Sequence, residues 1–332
     1  MGTILVTGGA GYIGSHIVRV LSDRGADVAV VDNLAEGNRA ATGDVRLIES
    51  DFADEAMLEQ ELAGGDVEFI VHMAASCEVG ESMENPSKYY ANNLIGSMRL
   101  LEAARRHDVR GIVFSSTAAT YGEPRQTPIT EDHPQVPTNS YGDTKLAFER
   151  ALGWYHQAYG IRYVALRYFN AAGAHPDGTI GEDHRPESHI VPRLLRGVQQ
   201  GQEPIPIFGN DWPTPDGTCV RDYVHVVDLA QAHVLAIDAM RSGDAQAEAF
   251  NLGNGEGFSV LQVIDTVGKV SGQRPPTRQA PRRSGDPATL VASSERIRAR
   301  LGWEPEFPTL EQIVSTAWDW HRTHPDGYAS DS

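Results

Sequence analysis

The stretch Thr3–His16, TILVTGGAGYIGSH, decides the fold. A short apolar run, TILVT, ends in glycines, and a helical pattern follows at once. The glycines fit two overlapping spacings, GxxGxxG from Gly8 and GxGxxG from Gly9. Glycines serve there because the backbone must turn tightly and approach a diphosphate at a helix N-terminus. A motif of this kind is weak alone, and its strand–turn–helix setting is what gives it meaning. Gly8, Gly11, Tyr12, Ile13 and Gly14 are therefore expected to touch a dinucleotide cofactor. The next apolar run ends in Asp32, 18 residues after Gly14. A carboxylate there accepts a hydrogen bond from a ribose 2′-hydroxyl and repels a 2′-phosphate. Asn33 follows it rather than an arginine, so NAD is expected over NADP.

Outward from this unit, apolar runs keep alternating with helical patterns. Strands are expected at Thr3–Thr7, Val28–Val31, Val45–Ile48, Val67–His72, Ile112–Ser115 and Tyr163–Arg167. Several are apolar at consecutive positions, as in strands covered on both faces. Helices are expected after Gly14, from near Asp54, from about Pro86 to His107 and from about Ser140 to Tyr159. This alternation predicts an α/β protein with a Rossmann-type, doubly wound parallel sheet. Two strand ends offer further cofactor contacts: Asp51 and Phe52 toward an adenine, and Met73, Ala74 and Ala75 where small residues let a ligand lie on the backbone. After Asn170, proline and glycine become frequent, with helices expected at Val191–Gln200, Val227–Met240, Val260–Val270 and Leu310–His321. We read 1–170 as the NAD-binding domain and 171–332 mainly as a smaller α/β substrate-binding lobe. Residues 219–245 return to the first domain, because Tyr223–Val227 reads as one more strand of the main sheet.

The chain has 332 residues, enough for a sizeable core, and a net charge of −17. Such a surface repels phosphate backbones and anionic membranes, so neither nucleic acid nor membrane is an expected partner. Cys77 and Cys219 are too few for a disulfide framework or a four-cysteine zinc site. No signal-like N-terminus or membrane-length apolar run is evident, so a cytoplasmic, reducing location is expected.

Tyr141 and Lys145 stand at i and i+4 of the helix expected from Ser140, and so share one face. A tyrosine acting as a base near neutral pH must drop its pKa from ~10 by about 3 units, at a cost of about 4 kcal/mol. One charge at about 4 Å supplies about 4 kcal/mol at an effective dielectric of about 20, so Lys145 alone is borderline once desolvation is counted. The cationic ring of NAD⁺ would complete the requirement. Ser115-Ser116-Thr117 ends the preceding strand, where a hydroxyl can bond a substrate oxygen.

These elements in this order resemble the extended short-chain dehydrogenase/reductase superfamily, and within it the UDP-glucose 4-epimerase family. The resemblance rests on VTGGAGYIGSH (6–16), VDNL (31–34), VGESMENPSKYYANN (79–93), FSSTAATYG (114–122), NSYGDTK (139–145), LRYFNAAGAHPDGTIGED (166–183), IFGNDWPTPDGTCVRDYVHVVDLA (207–230), FNLGNGEGFSV (250–260) and RRSGDPA (282–288). It implies interconversion of UDP-galactose and UDP-glucose by transient oxidation at the sugar C4 through a 4-keto intermediate, with NAD as cofactor. By position it implies Tyr141 as the base at the sugar O4, Lys145 on the nicotinamide ribose, and Thr117 at the family's Ser/Thr position. Asn92 and Tyr168 fall on cofactor-site positions, and Asn170, Arg221, Tyr223, Arg283 and Asp286 on the nucleotide-sugar site. Two arginines there suit a diphosphate on an otherwise acidic protein. Cys77 falls where some relatives carry a lysine near the cofactor. Relatives pair through the helices corresponding to those from Pro86 and Ser140, which implies a homodimer.

The alternatives are an epimerase or decarboxylase of another UDP-sugar (UDP-GlcNAc, UDP-GalNAc or a UDP-uronic acid), a nucleotide-sugar 4,6-dehydratase, and an NAD-binding protein without turnover. A dehydratase calls for an acidic pair after the strand-end hydroxyl, whereas Ala118 and Ala119 follow Thr117. The run containing His175, Asp177, Glu182, Asp183, His184 and His189 fits no metal-ligand spacing template, so no metal is expected.

Overall fold

The computed structural model describes residues 2–201, 203–283 and 286–328. Ser284 and Gly285 of the RRSGDPA stretch, and residues 329–332 of the C-terminal lobe, lie outside the described residues. The run Thr3–Thr7 forms strand β1, with Ile4 and Val6 in one core and Leu5 in another. That split is the two-residue period of a strand. Next come α1 (Tyr12–Asp23), β2 (Val28–Asp32), β3 (Arg46–Glu49), α2 (Glu55–Leu62) and β4 (Val67–His72). Then follow α3 (Val79–Glu84), α4 (Pro86–Tyr89), α5 (Ser97–Arg106), β5 (Gly111–Thr117), α6 (Ser140–Tyr159) and β6 (Arg162–Tyr168). The remainder comprises β7 (Asn170–Ala172), α7 (Ile190–Gln200), β8 (Ile205–Phe208), β9 (Val220–His225), α8 (Val226–Ser242), β10 (Ala247–Leu252), β11 (Gly257–Ser259), α9 (Val260–Ser271), β12 (Thr277–Ala280), β13 (Thr289–Leu290), α10 (Glu295–Leu301) and α11 (Leu310–Thr323).

Among the described residues, seven strands make one parallel sheet in the order β10-β6-β5-β4-β1-β2-β3. This is a Rossmann-like α/β fold, as the sequence predicts. One face is covered by α1 and α8, through Ile17, Val18 and Leu21 on the first and Leu229 and Ile237 on the second. On the other, α2, α5 and α6 bury Leu58, Leu100, Leu101, Phe148 and Leu152. Strand order reverses between β1 and β4, and the loops that leave those two ends open the crevice where α/β sheets bind ligands.

Two expectations need correction. β9 does not join the main sheet: it pairs with β11, β13 and β7 in a second sheet. Its apolar residues are buried on both faces of that sheet, Val224 in the core that includes α8 and Tyr223 in the one that includes α7, α9 and α11, which a run of five residues cannot distinguish from burial in the main sheet. The main sheet's seventh strand is β10, beside β6, which the sequence reading omits. The helix expected from Pro86 to His107 contains a π-helical turn at Tyr90–Gly96. No described helix is long and apolar enough to cross a membrane.

Candidate active site

A cavity of about 570 Å³ opens over the crevice, within the range of small-molecule sites. Its floor is the glycine turn. Gly8 has φ +71, and a Cβ on Gly14 would stand 2.1 Å from the Gly8 carbonyl oxygen. Only hydrogen at that position lets α1 start this close to β1. Gly11 precedes α1, no side chain caps the helix, and its first turn carries no acidic residue. The first-turn N–H groups of Tyr12, Ile13 and Gly14 therefore remain for a ligand, and all three residues line the cavity. These features fit a dinucleotide diphosphate.

Asp32 ends β2 at the cavity wall, almost fully buried. Its carboxylate accepts from the Ala10 N–H at 3.0 Å and the Leu34 N–H at 2.9 Å. Burial raises its pKa while those two bonds oppose the rise. Each oxygen keeps a lone pair for a ribose hydroxyl. Asn33, Phe52, Met73, Ala74, Ala75, Asn92, Tyr168 and Asn170 also line the cavity. Asp51 does not: it accepts from the Ala53 N–H at 2.8 Å in the turn before α2, while Ser50 and Phe52 on either side reach the wall. Asn92 sits in the π-turn, an irregularity that recurs at functional positions. Its amide donates to Asn93 Oδ1 at 3.0 Å.

Thr117, Tyr141 and Lys145 share the same wall. Asn139 caps α6 by accepting from the Gly142 N–H at 2.8 Å, which sets the helix start beside the end of β5. Lys145 Nζ donates to the Ser115 carbonyl oxygen at 2.8 Å and lies 5.9 Å from the centre of the Tyr141 ring. Burial lowers the Lys145 pKa to about 8, against the pull of Cys77 and Glu149. Tyr141 is held well above its ordinary value, first by desolvation and then by Cys77, while a hydrogen bond with Thr117 pulls it down. Desolvation thus outweighs what the chain's own groups offer this phenol. Beneath the pair, Arg167 grips Glu149 with Nε at 3.0 Å and Nη2 at 2.6 Å, and the Ser116 hydroxyl donates to the same carboxylate. This buried network ties α6 to β5 and β6.

Arg221, Tyr223, Arg283 and Asp286 lie outside the cavity lining. They connect to it through β7, where Asn170 pairs with Tyr223 of β9. Arg283 Nε donates to Asp286 at 3.1 Å, and Arg221 Nη2 stands 3.8 Å from the same carboxylate. Asp222 pairs with neither arginine: it accepts N–H groups of Asn254, Gly255 and Ala292. Glu36, Ser76, Lys88, Glu182, His184 and His189 line the cavity without having been singled out as cofactor or substrate contacts. Cys77 lines it too. Of the histidine- and acid-rich run, His175 pairs with Asp177 at 2.7 Å, whereas Glu182, His184, Glu187 and His189 converge at the cavity rim. Sequence spacing gives no hint of that convergence, because a local reversal of the chain produces it.

Comparisons with known proteins agree with this geometry. The sequence pattern of the NAD dependent epimerase/dehydratase family matches residues 4–253. The UDP-glucose 4-epimerase of Halalkalibacterium halodurans is 53% identical over 99% of this chain and 98% of its own. A crystal structure of a UDP-glucose 4-epimerase superposes with a TM-score of 0.96 at 47% identity, covering 99% of this chain and 100% of that one. The Bifidobacterium longum UDP-glucose 4-epimerase in complex with NAD⁺ and UDP superposes with a TM-score of 0.93 at 38% identity, over 98% and 100%.

Proposed function

The chain belongs to the NAD dependent epimerase/dehydratase family, among its UDP-glucose 4-epimerases, and from that premise we infer how its residues perform the reaction. It is an NAD-dependent isomerase that interconverts UDP-galactose and UDP-glucose. NAD, when bound, supplies reversible two-electron oxidation at the sugar C4, so that a 4-keto sugar links the two epimers. The observation that carries the site assignment is the single cavity lined by Thr117, Tyr141 and Lys145 together with Asp32 and the uncapped start of α1.

Tyr141 takes the O4 proton and later returns it, on whichever face the sugar presents. Thr117 bonds the same oxygen and holds the phenol in line. Lys145, fixed on the Ser115 carbonyl, is close enough to the phenol to stabilise its anion. Asp32 orients the adenosine ribose, the α1 N-terminus takes the diphosphate, and Asn92 and Tyr168 border the nicotinamide end. Arg221 and Arg283 exchange the Asp286 carboxylate for the diphosphate of the UDP-sugar. Asn170 and Tyr223 line the way between, which leaves the hexose loosely held and able to turn. The purified protein is expected to convert UDP-galactose to UDP-glucose without added reductant. No UDP-glucose after prolonged incubation, with UDP still bound, would reject the reading.

We infer a homodimer formed through the helices from Pro86 and Ser140, on and beside which large apolar side chains are exposed. Met83 of α3, Ile95 of the π-turn, and Trp154 and Tyr159 of α6 are apolar side chains between 54% and 69% exposed. Light scattering is expected to give twice the 36.1 kDa chain mass, and a Trp154→Glu variant to give the monomer. The reading includes a cytoplasmic location, which the free thiols of Cys77 and Cys219 favour.

A further inference from the structure

We propose that Glu182, His184, Glu187 and His189 bind one divalent transition-metal ion of the zinc type at the rim of the cofactor cavity. One ligand atom from each lies within 4.8 Å of all the others. His184 Nδ1 is 3.2 Å from Glu182 Oε1 and 3.8 Å from Glu187 Oε2. His189 Nδ1 is 2.8 Å from Glu182 Oε1 and 3.2 Å from Glu187 Oε1. Zinc bonds of ~2.0–2.1 Å place tetrahedral ligand atoms ~3.3 Å apart, so these edges bracket the value a bound ion imposes.

A second observation is independent of the spacing. The Glu182 side chain is only 4% exposed, and its Oε1 makes no aligned hydrogen bond although two imidazole nitrogens stand 2.8 and 3.2 Å from it. His184 Nδ1 and Glu187 Oε2 are buried in the same place and likewise make no aligned hydrogen bond. Buried polar atoms normally make well-aligned hydrogen bonds, and three that converge on one point without doing so are what a cation satisfies. Charge balances as well. Two carboxylates and two neutral imidazoles around a divalent ion sum to zero, which suits a partly buried site. Two imidazolium–carboxylate pairs would balance equally, but aligned hydrogen bonds would then be expected, and these three atoms make none.

All four ligands fall between residues 182 and 189, so the loop closes at small entropic cost. His189 is the residue before α7, and Tyr12, in the first turn of α1, stands edge-on to His184 at 6.2 Å. A bound ion would therefore pin this wall against the helix that receives the cofactor diphosphate. This inference needs no part of the epimerase reading, and metal content reads it without an activity assay.

Chelator-treated protein with its cofactor is incubated with Zn²⁺, passed through gel filtration in metal-free buffer and analysed by plasma mass spectrometry. A parallel sample receives Co²⁺ and is read by visible absorption. About one zinc per chain is expected, with cobalt bands of tetrahedral intensity. The double variant His184→Ala/His189→Ala is expected to lose both signals while retaining cooperative thermal unfolding. If it fails to fold, His189→Gln, at a side chain 44% exposed, is expected to weaken zinc retention against a competing chelator. Wild-type protein that retains neither metal, or a folded variant that retains the wild-type amount, overturns the proposal.

Discussion

At the end of β5 and the start of α6, one phenol and one ammonium line the same cavity, and in the proposed reaction their balance sets the acid–base chemistry. Charge arithmetic on the sequence makes Lys145 borderline as the sole support for a tyrosinate. In the structure desolvation raises Tyr141 and lowers Lys145 to about 8, which argues against Lys145 as the sole support. The phenol is thus built to remain protonated until a positive group arrives beside it. That arrangement couples proton removal to the presence of the oxidised cofactor. Tyr141→Phe is expected to cut kcat by about 10²–10⁴-fold, with NAD content and UDP binding unchanged by titration calorimetry. Retention of wild-type turnover would remove the proposed base.

The element that delivers Tyr141 is α6, and its first turn presses on backbone. A Cβ on Gly142 would lie 2.4 Å from the Ala119 carbonyl oxygen, so only glycine lets Tyr141 approach Thr117 this closely. Gly142→Ala is expected to cost about 1–3 kcal/mol of stability from overpacking, read by urea unfolding. Its kcat should fall by about 10²-fold, as for a reacting group displaced by about 1 Å. Unchanged kcat at lowered stability would detach the helix position from the chemistry. Much of this element is legible in sequence: Asn139 as a cap, the i, i+4 pair and the strand-end hydroxyls are all local signals. Contacts across the fold are not. The Glu149–Arg167 pair joins residues 18 apart, and Gly142 reads as an ordinary small residue until Ala119 is seen against it. The π-turn carrying Asn92 is equally hidden, since one extra residue per turn barely alters a helical pattern. β9 deceives because both of its possible sheets bury it, and β10 is missed because AEAFNL opens on alanine and glutamate, which are poor strand formers.

For the whole molecule, buried ionisable groups decide how stability varies with pH. Burial lowers His72 and His225 to about 3 and His16, His233 and His321 to about 4. Groups with a depressed folded pKa contribute stability above the unfolded value of 6.5 and lose it as pH falls toward 3–4. Asp222 and Asp228, raised to about 6 by burial, act in the opposite sense between about 4 and 6. Asp32, His184 and His189, whose pKa values are also raised, act in that same sense, and the five strongly lowered histidines outweigh the set at about 1.4 kcal/mol per pH unit each. Thermal unfolding is therefore expected at a clearly lower temperature at pH 5 than at pH 7; a higher temperature at pH 5 would mean these histidines are not buried neutral. The main sheet lies under the cavity, and a second sheet is tied to it by β7, which follows directly on β6; this arrangement serves to oxidise one carbon and restore it without letting anything escape. Turnover of UDP-galactose carrying deuterium at C4, in ordinary water, tests this most directly. The UDP-glucose formed should keep the deuterium at C4; deuterium lost to solvent, or NADH accumulating as product forms, would contradict it.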